Sequence, residues 1–339
     1  MGRLSAFMRL IAFILGAAAG GGFPQWNCNC DVCRLAWAGD PRVKPRTQAS
    51  IAVTTAPNGS PPPYAPPPPT LPAPASGGGL GRGLGEDREG GPFVLINASP
   101  DLRQQIIATP ALQPRGLRMS PIAAVVLTGG EVDQTAGLLT LRERGAFALY
   151  GTAGTLSTLA ANSMFGVLAG DVVPRKAVHP GAPFRLPGEI EAELFLVPGK
   201  APLYLEGDNP ELEAETDANV GIELRANGAR LVFIPGAARL TVAMASRLAD
   251  ADVVLFDGTL FSDDEMIAAG AGVKTGRRMG HMPVGGPGGT LTALAGLGRR
   301  RILIHINNTN PMLIAGSPQR RAVEAAGFEV AEDGMRIEL

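Results

Sequence analysis

Apolar and polar positions follow two rhythms along the 339-residue chain. Short runs rich in Val, Ile, Leu and Phe, bounded by turn residues, fall at 10–15, 50–54, 93–97, 123–127, 147–150, 191–197, 221–224, 230–234, 253–256 and 302–306. Their β-branched content and flanking breakers predict strands. Stretches at 102–108, 136–144, 154–162, 240–249, 263–269, 289–296 and 318–326 carry helical spacing or caps. Early strands succeed one another as hairpins, and later ones alternate with helices. That order predicts an α/β (α+β) fold in which two mixed sheets pack face to face with helices outside. Such an αββα sandwich would make 1–339 a single domain.

The rhythm fails between 56 and 92, where Pro and Gly dominate and apolar periodicity disappears. The runs on either side, 50–54 and 93–97, look like hairpin neighbours. The segment therefore reads as a disordered loop inserted into a hairpin, because loop-closure entropy grows only slowly with length. A Pro-rich docking motif is the alternative. At the start of the chain, Arg3 and Arg9 precede an apolar run and then small residues, the outline of an export signal. The run is short and feeds directly into a Gly-rich and Cys-rich segment, so it reads as a first strand and a tight turn. No other apolar stretch reaches the roughly 18 residues of a membrane span.

Charge and composition remove further classes. Thirty basic against 31 acidic residues give a net charge of −1, and aromatic residues make up 5%. Neither a polyanion-binding surface nor a base-stacking platform is expected, so nucleic acid is not a partner.

The three cysteines, Cys28, Cys30 and Cys33, are the sharpest chemical signal. Three clustered thiols do not make a disulfide framework. They suit thiolates on one soft ion in a reducing compartment, the cytoplasm, with structural zinc as the favoured occupant. Redox chemistry and three unligated thiols are the other readings. The fourth zinc ligand is Asp31, water or a distant residue.

A second signal lies where the strand at 123–127 opens into a helix through Thr128-Gly129-Gly130-Glu131-Val132-Asp133-Gln134. Strand ends of this kind are where α/β sheets place ligands. Asp257 and His305 also close strands, and His281 sits in a Gly-rich loop. One or two His with one or two carboxylates is a ligand set for non-haem Fe(II) in the cleft. In the turn at 97–101, Ser99 or Asp101 caps the next helix and Pro100 suits its first turn. Arg103 and Gln104 stay free to meet a carboxylate-rich substrate. Lys274, Arg277 and Arg278 offer similar contacts, or else form a solvated basic loop.

The strings GGGFPQWNCNCDVC, INASPDLRQQI and HINNTNPML, with the ending VAEDGMRIEL, resemble the PqqB family of pyrroloquinoline quinone (PQQ) biosynthesis. The resemblance implies a metallo-β-lactamase-like sandwich. Residues 128–137 resemble the T-H-x-H-x-D-H-x-x-G motif that opens a two-metal hydrolase site. Here Gly129, Glu131 and Gln134 stand for its histidines and only Asp133 remains, while Lys200 falls where the hydrolases carry His. A two-metal site draws on about five histidines, and this chain has 3, including His179 in a loop. A two-metal hydrolase is thereby excluded. The resemblance implies instead an iron- and oxygen-dependent hydroxylase acting on the tyrosine ring of a Glu-Tyr-derived precursor. Asp133, His305 and His281 would be catalytic, with Glu131, Asp257 and Arg103 about the cofactor or substrate. PQQ or its precursor and other PQQ biosynthesis proteins are the implied partners, and a homodimer stays open. The alternative is a non-catalytic carrier of PQQ or its precursor towards the periplasm.

Overall fold

The structure, a computed structural model, describes residues 8–57, 91–208 and 210–339. The first sheet contains β1 (Met8–Gly16), β2 (Ser50–Pro57), β3 (Phe93–Ile96), β4 (Ile122–Val126), β5 (Ala148–Gly151), β6 (Arg175–Ala177) and a late strand, β14 (Arg336–Glu338). The second contains β7 (Pro183–Leu186), β8 (Ile190–Leu196), β9 (Val220–Ala226), β10 (Ala229–Ile234), β11 (Val253–Asp257), β12 (Arg300–Ile304) and β13 (Phe328–Val330). Their spatial orders are β14-β1-β2-β3-β4-β5-β6 and β13-β12-β11-β10-β9-β8-β7. Both sheets mix parallel and antiparallel pairs, as the hairpin-then-alternation order requires.

Strand periodicity explains the layering. Leu10, Ala12 and Ile14 of β1 join Ile222, Leu224, Leu231 and Phe233 in the core between the sheets. The alternate residues Ile11, Phe13 and Leu15 face the opposite way, into a second core with Leu102 and Leu159 from α2 (Leu102–Ala108) and α4 (Ala153–Ala161). A third core covers the outer face of the second sheet, where Val232, Val254 and Leu303 meet Met244 and Val323 from α5 (Val242–Ala249) and α8 (Pro318–Ala325). Strands covered on both faces need apolar residues at consecutive positions, which is why these runs show no alternation. Truncating a fully buried residue such as Phe233 would cost roughly 3–5 kcal/mol.

The αββα sandwich is therefore borne out. The apolar run after Arg9 is strand β1, seated between β2 and β14. β2 and β3 are antiparallel neighbours, with Ile51 opposite Ile96 and Val53 opposite Val94. β2 runs on to Pro57, with Ala56 buried opposite Arg9, so the break begins later than composition suggests. The disordered-loop expectation for the rest of that segment lies outside the described residues.

Three helix expectations need correction. The stretch at 136–144 folds as a 3₁₀ helix, Ala136–Leu141. Gly137 explains why, since its amide donates to Ala98 O at 2.8 Å and a Cβ there would stand 2.0 Å from Ser99 O. The stretches at 263–269 and 289–296 shorten to α6 (Glu265–Ala268) and α7 (Thr290–Ala293), each bordered by conformationally permissive glycines. β6, β7, β13 and β14, of three or four residues, went unread because so few positions set no period.

Candidate functional site

The C-terminal ends of β4, β11 and β12 open on one cleft, a cavity of about 610 Å³ whose lining includes Asp133, His281, His305, Lys200 and Lys274. Asp133 enters on α3 (Val132–Thr135), the short helix after β4. His305 follows β12 with φ +58°, a left-handed conformation that costs a non-glycine residue of order 1–3 kcal/mol. Thr259, two residues past β11, sits against that turn, its Oγ1 3.0 Å from His305 O.

Thr259 is also the hub of the side-chain network. Its Oγ1 lies 2.6 Å from Asp257 Oδ1, 2.9 Å from His305 Nδ1 and 3.1 Å from His281 Nδ1. A hydroxyl has one proton, and the shortest acceptor is Asp257 Oδ1. On that assignment the His305 Nδ1–H donates to Thr259. His305 Nε2 then faces Asp133 Oδ2 at 2.9 Å. Burial works against a charged His305, but the Asp133 hydrogen bond and the Asp133, Asp257 and Glu131 charges outweigh it and raise its pKa. Burial likewise opposes the Asp133 and Asp257 charges, and the two histidines more than compensate, holding both carboxyls below the usual range.

Asp257 differs from Asp133. It is fully buried, and its Oδ2 accepts from His281 Nδ1 at 2.7 Å and from Ala237 N at 3.0 Å. Its Oδ1 accepts from the Thr259 amide and hydroxyl. With both oxygens doubly engaged, Asp257 orients His281 and leaves that ring's Nε2 lone pair free. Asp257, His281 and His305 nonetheless offer donor atoms within 4.8 Å of one another. The 2.9 Å between His305 Nε2 and Asp133 Oδ2 matches the roughly 3 Å spacing of adjacent donors at about 2.1 Å from one ion. The set fits a single N/O-preferring cation.

Two expected residues, Arg103 and Glu131, are placed elsewhere or otherwise engaged. Arg103 lies exposed on α2 and is not among the cleft-lining residues, because that helix covers the outer face of the first sheet. Glu131 borders the cleft, where its Oε1 accepts from Lys200 Nζ at 3.2 Å and Leu203 N at 3.0 Å. Gln134 turns back to cap its own helix, its Oε1 accepting from Glu131 N and its Nε2 reaching Thr128 Oγ1. It fills the space a side chain at 129 would need: a Cβ on Gly129 would stand 2.4 Å from Gln134 Oε1. His179 is exposed in its loop.

The cysteines form a second cluster beside the cleft. Cys28, Cys30 and Cys33 bring their sulfurs within 4.8 Å of one another around the start of α1 (Asp31–Trp37). Asp31 is no fourth ligand, since it is exposed and paired with Arg34 at 2.8 Å. The oxygen that faces the sulfurs is Asn308 O, 3.8 Å from Cys30 Sγ and 3.9 Å from Cys33 Sγ, while Asn308 Nδ2 donates to Cys33 Sγ at 3.2 Å. Burial and the neighbouring sulfurs push Cys30 up to about 12 and raise Cys33. Cys28 is lowered despite burial by hydrogen bonds from Cys30, Cys33 and Asn308. A tetrahedral zinc spaces its sulfurs about 3.8 Å apart, so this donor set fits zinc.

Thr259 and Asn308 were not read from the sequence. The signal for Thr259 was the Asp-Gly-Thr string directly after a strand, and for Asn308 its place three residues past a strand-end His.

Residues 93–306 match the model of the Beta-lactamase superfamily domain. A Coenzyme PQQ synthesis protein B from Methylobacterium nodulans is 50% identical over 330 residues, covering 97% of this chain and 99% of that one. The protein of the same name from Rhizobium meliloti is 46% identical over 327 residues, 96% and 97% of the two chains. Among solved structures, Zn(2+)-bound PqqB from Methylobacterium extorquens matches with TM-score 0.85 and 47% identity, covering 97% of this chain and 100% of that one. A diphosphatase of the PhnP family, at TM-score 0.62 and 18% identity, shares the fold. With these likenesses spanning nearly its whole length, the chain belongs to the PqqB family, coenzyme PQQ synthesis protein B, within the β-lactamase superfamily.

Proposed function

We propose that this protein acts in PQQ synthesis as a single-metal, oxygen-dependent hydroxylase of the tyrosine ring in a Glu-Tyr-derived precursor, working in the cytoplasm. The observation that carries this reading is that Asp257, His281 and His305 offer donor atoms within 4.8 Å of one another at one end of the cleft, with Asp133 Oδ2 2.9 Å from His305 Nε2. Two imidazoles and one carboxylate form the ligand set of non-haem Fe(II) oxygenases, and the other strand-end carboxylate is spent on orienting His281. Iron held there would supply the activation of molecular oxygen. The balance is one oxygen atom into a ring C–H bond as hydroxyl and the other released as water, with two electrons and two protons from an external thiol or ascorbate-type reductant.

The chain's own residues do the remaining work. Asp257 and Thr259 fix ring orientation and tautomer, so that both imidazoles meet the ion without reorganisation. The Gln134 side chain and Gly129 leave no second histidine pocket, which keeps the centre mononuclear. At the neighbouring site, Cys28, Cys30 and Cys33 would hold a structural zinc, beside Asn308 O. The zinc-bound relative from Methylobacterium extorquens supports a zinc in this family.

A carrier role draws on one observation: His305 and Asp133 already satisfy one another by a hydrogen bond without any cation. The test is turnover of the precursor by iron-loaded protein under oxygen. Ring hydroxylation that stops in Asp133→Ala supports the hydroxylase. Tight PQQ binding by iron-free protein, with no turnover under any loading, would leave the carrier standing.

A further inference from the structure

Outside the metal-competent cluster, Lys200 and Lys274 line the cavity, and Arg278 joins them behind the lining through Glu206, cations that the chemistry above does not use. Lys200 Nζ lies 2.6 Å from Glu206 Oε1. Arg278 Nη1 and Lys274 Nζ lie 3.3 and 3.8 Å from Glu206 Oε2. Lys200 also reaches Glu131 at 3.2 Å. Three cations thus share two carboxylates, leaving one positive charge in excess beside the cavity. The Glu206 side chain is only 7% exposed, well inside the cation cluster. Lys200 packs on Gly280, next to His281, which sets the cluster beside the reactive end.

The segment that carries Glu206 has little apolar footing. Leu203, Tyr204 and Leu205 are all exposed. Its contacts with the cleft are polar: Leu203 N to Glu131 Oε1 at 3.0 Å, Tyr204 Oη to Gly130 O at 2.6 Å, and the Glu206 ion pairs. A competing anion would release such clips at little hydrophobic cost.

We propose that Lys200, Lys274 and Arg278 form a carboxylate-binding subsite at the cleft mouth, in which Glu206 holds the place that a carboxylate of a polyanionic substrate takes. The subsite deepens the functional reading above and rests on it, because it assumes that substrate enters this cleft. Arginine and lysine together suit a substrate with several carboxylates, one taken by a planar fork and others by point charges. Exchange of Glu206 for substrate would also free residues 203–206 to close over the occupied cleft.

The experiment is calorimetric titration of zinc-replete protein, with and without added Fe(II), using benzene-1,3,5-tricarboxylate as probe and benzoate as control. The tricarboxylate is expected to bind, and the Lys274→Met/Arg278→Met variant to bind it about tenfold or more weakly, as loss of charged hydrogen bonds implies. Glu206→Gln, which removes the competing carboxylate, is expected to bind it about threefold or more tightly. No binding to wild type, equal affinity across the variants, or weaker binding by Glu206→Gln would overturn the subsite. Iron content and turnover on the same preparations separate the two claims. A tricarboxylate pattern as expected without turnover sinks the hydroxylase and keeps the subsite. Turnover with flat tricarboxylate binding does the reverse.

Discussion

The cysteine cluster and the cleft cluster lie side by side in one fold, yet they are built on opposite principles. The three sulfurs come from six consecutive residues and are electrostatically unhappy alone, with burial and mutual repulsion pushing Cys30 up to about 12. The cleft donors come from four separate segments and satisfy one another: His305 with Asp133, His281 with Asp257, both rings with Thr259. A site that cannot settle without its cation makes that cation structural. A site already closed by hydrogen bonds lets its cation come and go.

That contrast can be broken at several points. The largest effect is expected at the sulfurs, where Cys30→Ser or Cys33→Ser should abolish zinc and destabilise the fold by at least about 3 kcal/mol, read as a lower melting temperature. Equal stability with and without zinc would make this site as optional as the cleft. Next, Asp133→Ala or His305→Ala should remove iron and reduce turnover by about 100-fold or more while leaving zinc at one per chain. Thr259→Val should be milder, weakening iron by about 10–100-fold, because it frees both imidazoles without deleting a ligand.

Gln134→His should change iron content little, since position 134 points back to Thr128 and the Glu131 amide. Its main cost is the lost cap, about 0.5–1 kcal/mol. A sharp gain in iron on that substitution would mean that the side chain reaches the ion after all.

A separate effect concerns pH. Burial pushes Glu265, which accepts from Thr309 beneath the 305–310 loop, up to about 7, and pushes Asp333 up to about 6. Both carboxyls bind a proton more tightly folded than unfolded. Their contribution is therefore whole below pH about 4 and is lost as pH rises towards 7, on the order of 2–3 kcal/mol each. Glu265→Gln should flatten the fall in melting temperature between pH 5 and 8, and an unchanged slope would put that proton elsewhere.

The same contrast explains what was legible in the sequence. Cys28, Cys30 and Cys33 could be read at once because their ligand spacing is local. The sandwich was legible because β1, β2 and β12 are covered on both faces and so appear as unbroken apolar runs. Asp133, His281, Asp257 and His305 were identifiable as strand-end or loop residues, but which carboxylate faces which ring depends on contacts through Thr259 that no spacing marks. Arg103 misled because a free cation after a turn says nothing about which face of the sheet its helix covers. The engagement of Glu131 with Lys200 was not legible because the two lie 69 residues apart in the chain.

The most direct measurement is the zinc and iron content per chain of protein purified without oxygen, for wild type, Asp133→Ala, His305→Ala and Cys30→Ser. One zinc and bound iron are expected in the wild type, with iron alone lost from the first two variants and zinc lost from the third. Iron retained in both Asp133→Ala and His305→Ala would contradict the assignment of the cleft as the reactive metal centre.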